Sequence, residues 1–226
     1  MFVKRHIMWI LSGLYRTFIY PIRKCILEIK SGSILCPGVY VRNTVLEGKN
    51  YLGKRTSFTD GKIGYGTYVN REGDFSHTVI GRYTSIGTRV MTEIGDHPLE
   101  HVAMHPAFND PEKVFGYSYV NQKNWESVTK GIFIGSDVWI GNDVKILDGA
   151  VIGDGAVVGS GAVVTGELPP YSISAGVPAR VIRYRFPDEK IQALLSDPWW
   201  EKETAWIEKH IEDFSDIDRF IRKGER

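Results

Sequence analysis

Between Ile134 and Leu168 an aliphatic residue returns at every sixth position: Ile134, Ile140, Ile146, Ile152, Val158 and Val164. A second row at the same step, Val138, Val144, Ala150, Ala156, Ala162 and Leu168, lies four residues on. A step of six is a whole number of strand periods but not of helical ones, so a straight helix would smear both rows around its surface. Short strands joined by tight turns keep them on one interior. Glycines at 135, 141, 153 and 159, with Asn and Asp between them, supply the turns and the left-handed conformers. This is the hexapeptide signature of a parallel β-helix. Ordinary βαβ winding is excluded, because no helical pattern separates the strands. A chain of 226 residues, 42% of them hydrophobic, can bury one such core and still carry appendages.

The six-step starts earlier in looser form, through Leu35, Val41, Leu52, Phe58, Ile63, Val69, Ile80 and Ile86. Its phase slips by one residue near Val45–Leu46, Lys62 and Val79, as bulged corners would do. Coils are therefore expected from about 35 to 94 and again from about 132. The division that follows is an N-terminal amphipathic helix at 1–33, the β-helix at 34–186 with a long protruding loop at 95–131, and C-terminal helices at 187–226. In the N-terminal segment Ile7, Leu11, Leu14, Phe18, Ile22, Cys25 and Ile29 form an apolar helical stripe, with Arg5, Ser12, Arg16, Arg23 and Lys30 opposite. Pro21 should kink or divide this helix. The first expectation is that the stripe packs on the β-helix; a weak contact with an anionic membrane surface is the second. Arg16 interrupts the apolar run and no A-x-A site follows, which argues against a cleaved signal. The run is also shorter than the ~20 residues of a membrane span. The expected location is cytoplasmic. Near the other end, Asp197-Pro198 reads as a helix start. The helices at both termini are expected to cap the open ends of the β-helix.

A net charge of +1 and a pI near 7.8 give no reason to expect nucleic acid. Two cysteines make neither a disulfide framework nor a metal knuckle. Chemistry is concentrated in the 95–131 interruption, rich in His, Pro and aromatics, since a loop this long inside a compact domain is usually functional. His97, His101 and His105 are spaced by four, which on one helix would suggest a metal site. Pro98 and Pro106 push His97 and His105 toward extended conformations, so no metal is expected. A general base needs a side chain that titrates near neutrality where substrate can reach it. His97 fits best, standing where the chain leaves the β-helix wall. His105 is the runner-up and a candidate for substrate contact, with His77 read as a surface imidazole. The loop aromatics Phe108, Phe115, Tyr117, Tyr119 and Trp125 suit a sugar face or a flat drug ring.

Taken together, the repeat, Gly95-Asp96-His97-Pro98, Val138-Trp139-Ile140-Gly141 and Gly176-Val177-Pro178-Ala179-Arg180 resemble the hexapeptide-repeat acyltransferases over about residues 35–195. The likeness is to the galactoside and maltose O-acetyltransferases and to the xenobiotic acetyltransferases acting on chloramphenicol and streptogramins. It implies a left-handed parallel β-helix, a homotrimer, acetyl-CoA lying between neighbouring β-helices, no metal, and a loop histidine as general base, at His97. The family's coenzyme contacts fall on Asn142, Ser160, Thr165, Gly166, Arg180 and Arg183. Many relatives carry Lys where this chain has Gly166, which leaves only backbone there. Arg180 and Arg183 suit phosphates as charge-assisted donors. Asn142 and Ser160 read equally as ordinary turn residues. His105 and Trp125 are expected to meet the acceptor.

The reaction so implied is direct acetyl transfer from acetyl-CoA to a hydroxyl of a sugar, polysaccharide precursor or antibiotic-like molecule. Transfer to an amino sugar is the nearest alternative. A zinc-binding β-helix of the γ-carbonic-anhydrase kind and a non-catalytic scaffold compete from other classes. The histidine spacing is poor for the first, and failure to bind acetyl-CoA would mark the second.

Overall fold

The computed structural model describes residues 10–11, 13–93 and 95–224. The repeat folds as expected into a parallel β-helix, its strands stacking coil on coil into walls. One wall is an eight-stranded sheet running from Ile34–Leu35 to Ser172–Ala175, closed by the antiparallel strand Arg180–Tyr184. The other two walls merge into a ten-stranded sheet, because Tyr40–Leu46 and Ser57–Ile63 run through the corner between them without a break. The interior is filled. Ile134, Ile140, Ile146, Ile152, Val158 and Val164 are at most 1% exposed, as are Val138, Val144, Ala150, Ala156 and Ala162. Phe58 and Phe75 stack within the early coils, centroids 5.3 Å apart. No room is left along the axis for a ligand.

Coil length explains the phase slips. Ile34, Tyr51 and Tyr68 pair at a step of 17 residues, and so do Ser57, Asp74 and Met91. Trp139 and Val157, like Lys145 and Val163, pair at 18. Each early coil therefore has one side of five residues: Val41 to Leu46, Phe58 to Ile63, Phe75 to Ile80. The last coil shortens again, with Ile152 pairing Leu168 at 16. Leu168 thus continues the Ile152 column rather than the alanine row in which its spacing placed it. The missing residues come out of the Thr165–Gly166 corner.

The N-terminal segment divides at Pro21, as expected. A π-helical turn, Tyr15–Ile19, passes without a break in helical backbone into α1, Tyr20–Ser31, the change of helix type falling just before Pro21, which has no N–H to give. The expected packing of the apolar stripe is not found. The helix is held instead by Tyr20, whose hydroxyl accepts from Val41 N–H at 2.7 Å, by Lys24 donating to the Cys36 carbonyl, and by Glu28 accepting from Leu35 N–H. Leu27 packs on the core beside them. Leu11, Leu14, Phe18, Ile22, Cys25 and Ile29 are exposed, and Ile7 lies outside the described residues. At the C-terminus the helix expected from Asp197-Pro198 is replaced by a helix that ends before it, Asp188–Ser196. Directly after Pro198 comes a 3₁₀ turn, Trp199–Glu201, and the next α-helices are Thr204–His210 and Ile217–Gly224. Asp188 and Glu189 in that earlier first turn are the start signal, acids placed at a helix N-terminus. Trp200, Ile191 and Leu194 bury against Tyr171 and cover the upper coils.

Candidate active site

Left-handed residues recur at the coil corners. Asn43, Asp60 and His77 fill one such column, with φ of 45°, 56° and 47°. The next step of 17 falls just past Met91–Glu93, the last strand before the insertion. The chain returns through Gly131 at φ 79°, with Ile132 N–H donating to the His77 carbonyl. The insertion thus replaces one corner. Its far root is pinned by Asp148, which accepts from Lys130 and Gly131 N–H, both at 2.8 Å.

Three residues beyond the exit stands His97, exposed, its Nδ1 3.1 Å from the Met104 carbonyl oxygen. A carbonyl only accepts, so the proton sits on Nδ1 and Nε2 keeps its lone pair. Among the described residues nothing bonds Nε2. Of the neighbouring acids, Asp96 accepts the backbone N–H of His97 and, among the described residues, Glu100 makes no bond to the ring; the Glu93 side chain lies outside the described residues. The Met104 carbonyl takes that role. His105 has the opposite tautomer. Its Nδ1 accepts from Ala107 N–H to cap the 3₁₀ turn Pro106–Phe108, which leaves Nε2 carrying the proton as a donor. Its ring lies 4.9 Å from Phe115, next to the exposed Phe108–Tyr119–Tyr117 cluster. Trp125 is half-buried and joins neither cluster among the described residues.

Asn109, which the sequence reading passed over, organises this loop. It is 4% exposed, and its Nδ2 donates to the carbonyls of Ala103 and His105, the residues on either side of Met104. With both amide hydrogens committed, its Oδ1 must accept, so His101 Nδ1 at 2.7 Å is the donor. An Asn before Asp and Pro reads as a turn residue; only its burial reveals the role. The three histidines share no helix. Among the described residues no group of three or more His, Cys, Asp or Glu is placed to hold a metal.

Five of the six candidate coenzyme residues, all but Arg183, bracket one wall, built of Met91–Glu93, Lys145–Leu147 and Val163–Val164. One edge of it is the corner of Asn142 and Ser160. Asn142 Oδ1 accepts from Thr88 N–H and Ser160 Oγ accepts from Asn142 N–H, so each side chain ties its coil to the one below. The other edge is the shortened Thr165–Gly166 corner, two coils above the loop exit, about 10 Å at the spacing of stacked strands. Ala179 N–H donates to the Val163 carbonyl and brings the exposed Arg180 to the top of this wall. Arg183 lies further along the same strand, opposite Ile173. Each of these guanidiniums bonds only a local carbonyl, and among the described residues neither is paired with a carboxylate. A wall with an open imidazole at its foot and Arg180 at its top edge, Arg183 following on the adjoining eight-stranded wall, suits a long anionic ligand laid across it.

Residues 131–166 match the family model described as bacterial transferase hexapeptide (six repeats). A probable macrolide acetyltransferase of Lysinibacillus sphaericus is 35% identical over 62% of this chain and 75% of its own length. The chain belongs to the hexapeptide-repeat acyltransferases. A chloramphenicol acetyltransferase of Agrobacterium fabrum is 39% identical over 54% of the chain; the chain spans 58% of that relative. Among solved structures, an N-acyltransferase from Bacillus cereus, crystallised as an S84T mutant with dTDP and coenzyme A, superposes with a TM-score of 0.56. It shares 19% identity over 72% of this chain and 84% of its own, a likeness of fold alone. In this hexapeptide-repeat acyltransferase the matched residues 131–166 take in the last strongly patterned coils and two of the three strands of the wall just described, Lys145–Leu147 and Val163–Val164.

Proposed function

We propose that the protein transfers an acetyl group from acetyl-CoA to a hydroxyl of a sugar, polysaccharide precursor or antibiotic-like acceptor, with Nε2 of His97 as general base. The observation that carries this reading is the Nδ1–H···O=C contact to Met104. It holds the ring in the tautomer whose free nitrogen can take a proton. Nε2 removes the hydroxyl proton as that oxygen attacks the thioester carbonyl. The carbonyl oxygen becomes the oxyanion, which backbone N–H groups at the coil corners stabilise. As the C–S bond breaks, the imidazolium returns its proton to the departing thiolate. Arg180 and Arg183 hold the phosphate end, and Thr165 with the Gly166 backbone flanks the pantetheine chain. Asn142 and Ser160 line the same path while tying the coils together. His105, donating through Nε2, and the loop aromatics hold the acceptor, with Trp125 at the edge.

The site is completed in a homotrimer. The filled interior forces the ligand onto the outside, where the exposed His97 needs a second wall to exclude water. A cytoplasmic location goes with a coenzyme A thioester as donor. The test is a panel of sugar, amino-sugar and antibiotic acceptors with acetyl-CoA, read by thiol release and by mass spectrometry of the product. An acetylated hydroxyl supports the reading, and an acetylated amine moves it to N-transfer. No thiol release with any acceptor, together with no acetyl-CoA binding, contradicts it. Replacing Arg180 and Arg183 by Ala is expected to weaken acetyl-CoA binding, less so in high salt, with little change in thermal stability.

A further inference from the structure

The N-terminal helix presents two opposite sides. Along α1, Tyr20, Lys24, Leu27 and Ser31 return to one line at steps of four and three, and this line docks on the first coil. Ile22, Ile26 and Ile29 return to the line facing away from the protein, 63%, 47% and 76% exposed. Phe18 at 65% and Leu14 and Leu11, about half exposed, prolong the apolar side through the π-helical turn. A soluble helix docked for stability would put its isoleucines inward; this one spends its polar side on the docking and leaves its apolar side uncovered.

Charge says what covers it. Residues 1–30 hold six Lys and Arg against a single acid, Glu28, and that carboxylate is occupied with Leu35 N–H. The other 196 residues hold 22 Lys and Arg against 26 Asp and Glu. The chain is nearly neutral only because a cationic N-terminal segment offsets an acidic body. Arg23 and Lys30, both exposed, lie between the docked line and the apolar line, at the level where headgroups would meet them. Tyr15, in the π-helical turn, adds an amphipathic ring whose hydroxyl accepts from Arg23.

We propose that this helix seats the protein on the surface of an anionic lipid bilayer, lying in the plane of the membrane with Ile22, Ile26 and Ile29 inserted. Among the described residues no helix is long and apolar enough to cross one. The attachment is peripheral, and the docked side holds the β-helix above the surface, so that acyl transfer proceeds beside the lipid.

The experiment is flotation of the full-length protein with vesicles of phosphatidylcholine alone and of phosphatidylcholine with one third phosphatidylglycerol, at low and high salt. Binding is expected to the anionic vesicles only and to weaken with salt. The double variant Ile22→Glu/Ile29→Glu, altering two exposed side chains, should abolish it while melting temperature stays unchanged. Arg23→Gln with Lys30→Gln should weaken it about 25-fold, roughly fivefold for each cation removed. Light scattering of the same Ile variants separates the rival occupant. No vesicle binding by the wild type overturns the proposal, and so does an oligomer that the Ile variants dissociate, which would make the stripe an interface between copies. The outcome is independent of whether any acceptor is acetylated.

Discussion

The proton of a single imidazole decides which histidine can act. His97 and His105 lie eight residues apart in one loop, yet a carbonyl oxygen faces Nδ1 of the first and a backbone N–H faces Nδ1 of the second. Their free nitrogens are therefore an acceptor and a donor respectively. His97→Ala is expected to lower kcat by about 10²–10⁴-fold with acetyl-CoA affinity retained, while His105→Ala raises the acceptor KM. Steady-state kinetics with a coenzyme-binding measurement checks both, and swapped phenotypes would move the base to His105. Asn109 is the positioning residue behind this arrangement. Asn109→Ala frees the carbonyls on either side of Met104 and should cut kcat about tenfold or more at unchanged acetyl-CoA affinity, since a misplacement of about 1 Å costs about that order. A loss confined to thermal stability would reduce Asn109 to a loop staple. Of these residues only His97 and His105 were legible in the sequence. A histidine beside a proline at a coil exit announces itself, whereas a backbone carbonyl partner and a buried amide are products of tertiary folding.

At the scale of elements, the repeat was legible wherever its step was constant. The slips at Val45–Leu46, Lys62 and Val79 also carried information, since they mark the five-residue sides of 17-residue coils. Leu168 misled, because two residues removed at a corner reset the count without changing the residue type that fills the interior. The terminal helices were the least legible. The stripe from Leu11 to Ile29 announces a helix, but periodicity says nothing about which side meets the protein. Beside the apolar packing on Tyr171, an electrostatic link joins the C-terminal elements to the coils. Glu47 is bonded to Lys62 and Arg82, and Arg82 reaches the Trp200 carbonyl. Burial alone would push the Glu47 carboxyl up. The hydrogen bonds from Lys62, Arg82 and the Tyr65 N–H outweigh it and hold its pKa at about 2, below the ordinary 4.5. The fold thus favours the ionised form, so the stabilisation is complete above about 4.5 and is lost as the pH falls toward about 2. Glu47→Gln should lower the melting temperature at pH 7, and its deficit against the wild type should shrink steadily as the pH is taken from 5 to 3. A deficit that does not change with pH would mean that Glu47 contributes packing, not charge.

For the whole molecule, a β-helix with its interior filled by two aliphatic columns has only its outer walls to offer, and one wall of one chain is not a pocket. The open imidazole at the foot of that wall, and Arg180 at its top edge with Arg183 on the adjoining wall, are read as halves of sites shared between copies of the chain. Mixing inactive subunits tests this directly. A His97→Ala protein and an Arg180→Ala/Arg183→Ala protein are each expected to have little activity alone, and are co-refolded in equal amounts. If His97 and the two arginines of one site come from different chains, random assembly leaves both halves intact at roughly a quarter of the interfaces, and acetyl transfer should recover to roughly a quarter of the wild-type level. Mixed oligomers that form, as shown by differential tagging, and yet stay as inactive as their parents would contradict the shared site.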